Sequence, residues 1–118
     1  MSYRRGDIVL VDVAFGSRPG SKIRPMVVIQ NDRNNARMNK TILATITTNT
    51  SRVGEPTQVF IDVSTPDGRR SGLIANSSIS CENLVTVEQV TIRRKIGELS
   101  PALTAQLSLA LKDSLQLT

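Results

Sequence analysis

The sequence predicts a small, mostly antiparallel β-barrel or sheet with one packed C-terminal helix. Three observations carry this. The chain has 118 residues, room for one hydrophobic core and a single domain over residues 1–118. Short β-branched runs recur along it, separated by stretches rich in Gly, Pro, Ser and Asn. Only the last segment carries a helical apolar stripe, at Leu103, Leu107, Leu111 and Leu115 with Ala110 beside them.

Ile8 to Val13 is apolar and β-branched, and reads as the first strand. Phe15 to Lys22 is a Gly-, Ser- and Pro-rich loop. Pro25 to Gln30 reads as a second strand, with Pro25 at its first position, where a missing N–H is tolerated. Asn31 to Lys40 is polar and reads as a loop or short helical turn. Thr41 to Thr48 is a third strand, and Asn49 to Pro56 a loop carrying Gly54. Thr57 to Val63 alternates as a fourth strand, followed by a tight turn at Thr65-Pro66-Asp67-Gly68. Gly72 to Ser80 is ambiguous. Cys81 to Val90 holds at least one more strand, around Leu84 to Val87, and Arg93 to Leu99 suits a final short one. Ser100 followed by Pro101 marks a helix start: a capping hydroxyl, then a proline where the first turn has no N–H to satisfy.

Composition removes several chemistries. One cysteine, Cys81, leaves no intrachain disulfide, and there is no histidine. Zinc sites of Cys/His type, a Cys–His dyad and a Ser-His-Asp triad are therefore excluded. No apolar run approaches the roughly 18 residues of a membrane span. The N-terminus lacks an apolar stretch of signal-peptide type, so a cytoplasmic location is expected.

Charge is distributed unevenly. Fifteen cations against ten anions give +5, and eleven of the cations are Arg, whose planar fork suits phosphate. Nine cations and four anions fall within residues 1–60, whereas residues 61–118 hold six of each. A basic first half points to an anionic partner such as nucleic acid; a merely solubilising surface accounts for it equally well. Aromatic residues are scarce (Tyr3, Phe15, Phe60), which argues against a stacking platform for bases.

Two clusters stand out. Lys22-Ile23-Arg24-Pro25 places a cation where the glycine-rich loop becomes a strand, though a structural ion pair or plain exposure explains it as well. In Thr45-Ile46-Thr47-Thr48, alternation puts Thr45 and Thr47 on one face, a pattern that packing alone also produces. Residue chemistry by itself stops at a small basic β-domain with nucleic acid as the candidate partner.

The chain resembles the MazF/PemK family of type II toxin–antitoxin endoribonuclease toxins. The resemblance begins at Arg5-Gly6-Asp7-Ile8-Val9 and is clearest from Lys22 through Asp32. It continues through Ala44-Thr45-Ile46-Thr47, Pro56 to Asp62, Glu82 to Val87, Lys95 to Leu99 and the Leu107–Leu111 stretch, spanning about residues 4–117. The resemblance implies an SH3-like barrel with a C-terminal helix, forming a homodimer. It implies metal-independent, cofactor-free cleavage of single-stranded RNA, mainly mRNA, at short motifs. In that reaction the 2′-hydroxyl attacks the adjacent phosphate and leaves 2′,3′-cyclic phosphate and 5′-hydroxyl ends. It further implies a cognate antitoxin with an acidic tail, and operator DNA bound through that antitoxin.

Position by position, Arg24 and Thr47 match the family's catalytic residues. Ser17, Arg18, Ser21 and Lys22 match its site-bordering loop, and Pro56, Ser77 and Asn83 match positions near its RNA groove. The chain departs from relatives at Asn83, where Gln is frequent, at Asn76, where Asp is frequent, and at Arg18-Pro19-Gly20-Ser21, where Glu-Gln-Gly is frequent. A cleavage motif therefore does not transfer from any relative. The competing reading is a non-enzymatic toxin of the CcdB branch, which binds DNA gyrase; it has no need of the Arg24–Thr47 pair.

Overall fold

The first β-branched run forms strand β1 (Asp7–Ala14) in the computed structural model, which describes residues 2–117. After it come β2 (Ser21–Val28), α1 (Asp32–Arg37), β3 (Lys40–Thr47), β4 (Gln58–Ile61), α2 (Pro66–Arg70), β5 (Ser77–Glu88), β6 (Ile92–Glu98) and α3 (Pro101–Leu115). The six strands make one curled antiparallel sheet in the order β4-β5-β3-β2-β1-β6. Every paired neighbour is antiparallel, as short loops between sequential strands require.

Alternation divides the apolar residues between the two faces of the sheet. On one face Ile8, Val27, Ala44, Ile46, Val59, Ile61, Ile79 and Cys81 pack beneath Leu103, Leu107, Ala110 and Leu111 of α3. Burying Leu107 completely contributes about 1.5–3 kcal/mol. Ser100 caps this helix by accepting from Leu103 N–H at 3.2 Å, and Pro101 opens it. Leu115 does not join the stripe and is half-exposed. A spacing of four residues drifts about 40° per step around a helix of 3.6 residues per turn, so the third step leaves the buried face. The other face gathers Val9, Val11, Met26, Val28, Leu43 and Ile92, edged by Tyr3, Val13 and Val87.

The largest differences from the sequence expectation fall in three elements. β2 begins at Ser21 rather than Pro25, because its polar first half pairs fully with β1, from Ala14↔Ser21 to Ile8↔Val27. β3 joins β2 only at Met26, Val27 and Val28, so Pro25 sits where the sheet parts and its missing N–H goes unneeded. Thr65-Pro66-Asp67-Gly68 continues as the short helix α2; a Cβ on Gly68 would lie 1.8 Å from Asp62 O. The ambiguous segment supplies the start of β5, whose serines pair with β3 and β4. β5 also contains a bulge: Ala44 faces Leu84 but Thr45 faces Ser80, leaving residues 81–83 outside the β3 ladder. Among the described residues no helix is long and apolar enough to cross a membrane.

Candidate active site

Where β2 and β3 part, a cavity of about 260 Å³ opens between them, lined by Val13, Arg24, Pro25, Met26, Thr45, Ile46 and Thr47. Arg24 pairs with Val11 across the hairpin and points to the same face as Met26. It is exposed, and among the described residues no carboxylate lies within ion-pairing distance of it. An exposed guanidinium with five donors and no acidic partner is a ready site for a phosphate oxygen.

Thr47 is the last residue of β3, half-buried, and its Oγ1 accepts from Asn49 N–H at 3.0 Å. That bond occupies a lone pair and leaves the hydroxyl proton free to donate. Thr45 and Thr47 also line an adjoining polar cavity of about 200 Å³ with Asn49, Arg52, Gln58, Ser80 and Asn83. The two cavities share both threonines and so form one groove, with Thr47 at its middle.

Register explains the polar floor. Thr47 stands opposite Ser78, which stands opposite Phe60; Thr45 stands opposite Ser80, which stands opposite Gln58. Residues paired across strands share a face, so these two rows lie beside Arg24. Ser78 donates to Gln58 Oε1 at 2.7 Å, Gln58 Nε2 donates to Ser80 Oγ at 3.3 Å, and Asn83 Nδ2 donates to the same oxygen at 3.3 Å.

The far end of the groove is built differently. Arg52 donates to both carboxylate oxygens of Glu55, at 2.7 and 3.0 Å, and to both of Glu82, and Glu82 also accepts from Thr57 Oγ1 at 2.5 Å. These hydrogen bonds hold the Glu55 and Glu82 carboxyls below the usual glutamate range and raise Arg52 further. The cluster ties the β3–β4 loop to the β5 bulge.

Other residues singled out in the sequence fall in three places. Ser17, Arg18, Ser21 and Lys22 are exposed on the β1–β2 hairpin; Lys22 lies two residues from Arg24 on the same face. Pro56 lines a separate cavity between the β3–β4 loop and α3, with Phe60 and Leu109. Ser77 is buried, stands opposite Ile61 and donates to Ala75 O at 2.8 Å, while its neighbour Ser78 faces Thr47. Asn83 joins the groove directly. Sequence reading did not single out Arg52, Gln58, Ser78 or Ser80. They come from three separate segments, and only strand register brings them together.

Comparison with known proteins gives consistent matches along the chain. Residues 4–115 match the family described as PemK-like, MazF-like toxin of type II toxin–antitoxin system. The chain is 33% identical over 119 residues to Endoribonuclease EndoA of Bacillus subtilis (strain 168), covering 99% of this chain and 97% of that one. It is 33% identical over 116 residues to Endoribonuclease MazF of Staphylococcus epidermidis, covering 97% and 92%. Its fold superposes with TM-score 0.77 and 21% identity on an endoribonuclease in complex with its cognate antitoxin from Mycobacterial species, covering 99% and 98%.

Proposed function

Because the chain belongs to the PemK-like, MazF-like toxins of type II toxin–antitoxin systems, we propose that it is a sequence-specific endoribonuclease neutralised by a cognate antitoxin. Its single domain acts in the cytoplasm on single-stranded RNA, mainly mRNA. The observation that supports this most is the sharing of one cavity by Arg24 and Thr47, at the point where β2 and β3 separate. The named relatives are endoribonucleases, so the gyrase-binding alternative is set aside.

The chemistry follows from the groups present. The RNA 2′-oxygen forms a bond to the neighbouring phosphorus while the bond from phosphorus to the 5′-oxygen breaks. The 2′-hydroxyl loses its proton, the leaving 5′-oxygen gains one, and a cyclic phosphate remains. Negative charge builds on the non-bridging oxygens, and the Arg24 guanidinium meets it with paired donors. The Thr47 hydroxyl, its oxygen held by Asn49 N–H, aims one more donor at the same place. A guanidinium carries five N–H donors and no acceptor, so the role of Arg24 is electrostatic and positional. Ser17, Arg18, Ser21, Lys22 and Asn83 are the proposed RNA-binding set, with Lys22 and Arg18 extending the cationic run along the hairpin and Pro56 at a separate cavity beyond the groove; Ser77, expected in this set from the sequence, is buried on the opposite face of β5 and is replaced there by its neighbour Ser78.

The antitoxin's acidic tail competes for the same cations, and the complex carries operator DNA through the antitoxin. The toxin pairs as a homodimer, which adds buried apolar surface to a small core. The test is cleavage of a long single-stranded RNA by purified protein in EDTA, beside Arg24→Ala, with both new ends mapped. Expected are cuts at a recurrent short motif with cyclic-phosphate and 5′-hydroxyl ends, and none from the variant. No cutting by the folded wild-type protein would refute the ribonuclease reading.

A further inference from the structure

The tip of the β1–β2 hairpin holds an arrangement that the catalytic pair does not use. Phe15 N–H donates to Gly20 O at 3.1 Å, which makes Phe15 and Gly20 the last paired row of the hairpin. Alternate rows before it, on the same face, are Val13↔Lys22 and Val11↔Arg24, so the Phe15 ring continues the face that carries Arg24. The two rows lie about 13 Å apart along the strand.

One side of the ring rests on Gly20, where a Cβ would come within 3.3 Å of Phe15 Cε2. The residue has φ +101°, a backbone that favours glycine, so conformation and contact both keep that place free of a side chain. The Arg18 guanidinium lies over the ring, 4.3 Å from its centroid. Arg18 is itself exposed and shows no carboxylate partner among the described residues.

We propose that Phe15 is a stacking platform for one unpaired base of the RNA substrate, flanking the phosphate held at Arg24, and that Arg18 is the cap this base displaces. The proposal rests on the ribonuclease reading above. An exposed cation on an aromatic face is a weak contact that a stacked base outcompetes. Once displaced, the guanidinium stands beside the incoming nucleotide's phosphate, which it binds more strongly than a ring face. The low aromatic content of the chain is no obstacle, since one ring serves one base.

The test uses an RNA carrying the mapped motif. Stacking on an aromatic contributes about 1–3 kcal/mol per base, which corresponds to roughly a 5- to 150-fold rise in KM on its loss. Phe15→Leu keeps the apolar bulk over Gly20, and should raise KM about tenfold with kcat within about twofold, the signature of lost uniform binding. Phe15→Trp should restore KM. A 2-aminopurine beside the cut, in RNA made uncleavable by a 2′-deoxy nucleotide, should be quenched by wild type and by Phe15→Trp but not by Phe15→Leu. An unchanged KM in a Phe15→Leu protein of normal melting temperature, or a loss confined to kcat, overturns the stacking role while cleavage by wild type stands. Wild-type protein that cuts no RNA overturns the ribonuclease reading, and the stacking role with it.

Discussion

Two arginines face the same groove under opposite conditions. Arg24 rises from β2 with no carboxylate partner among the described residues, whereas Arg52 is gripped by Glu55 and Glu82 together. A guanidinium whose donors are saturated by carboxylates fixes a loop; one with vacant donors binds a substrate oxygen. The groove therefore has an end with a free guanidinium and an end tied by carboxylates, separated by Thr47. Charge reinforces the division: Lys22 and Arg18 lie beyond Arg24, while the Arg52 cluster carries two carboxylates for one cation.

The comparison breaks most easily at Arg24. Arg24→Ala is expected to lower kcat about 100- to 1000-fold, by analogy with the removal of one oxyanion donor. Its melting temperature should stay at the wild-type value, because the side chain is exposed and makes no ion pair among the described residues. A variant within tenfold of the wild-type rate would make Arg24 a bystander. Thr47→Val comes next. Losing one neutral donor corresponds to about 1 kcal/mol, or roughly fivefold in rate, and Thr47→Ser should recover most of it. Single-turnover cleavage measures both.

Arg52→Ala sharpens the contrast with a smaller effect. Its kcat should stay within about threefold of wild type, because an exposed ion-pair cluster contributes little and touches the reaction only through the loop. A loss as deep as that of Arg24→Ala would abolish the distinction between the two ends. The cluster also has an acid limit. Glu55 and Glu82 titrate below their ordinary 4.5 in the folded protein. The stability they contribute is therefore present above the unfolded glutamate range and is lost as pH falls through the lower folded values. Thermal melts of wild type and Arg52→Ala should differ at neutral pH and converge in acid.

The smallest effect concerns Cys81, which lies in the core beneath α3. Burial pushes its thiol up to about 11. Iodoacetamide at pH 8 should leave the folded protein unlabelled and fully active, and label it only in denaturant. Rapid labelling of the native protein would contradict the packing described above.

What the sequence revealed follows from the range of the interactions involved. β1, β3 and the Ser100-capped helix were legible because their signals are local: β-branched runs, a capping hydroxyl and an apolar stripe. The first half of β2 was not, since Ser21, Lys22 and Arg24 are extended only through pairing with β1. β5 was seen in part because three bulge residues interrupt its alternation and its serines face both neighbours. The catalytic candidates were visible through family resemblance. Arg52, Gln58, Ser78 and Ser80 were not, because no local pattern records a cross-strand row.

The β5 bulge has a consequence for how this scaffold diversifies. Ladder pairing is complete on both sides of it, with Val85 opposite Leu43 and Ser80 opposite Thr45. Glu82 and Asn83 are exposed on that detour while Cys81 alone anchors it in the core. Exchanges at the two exposed positions therefore leave the row that carries Thr47 in register. The bulge has the geometry of an interchangeable cassette, through which the groove's far wall can be rewritten without shifting the strand that carries Thr47.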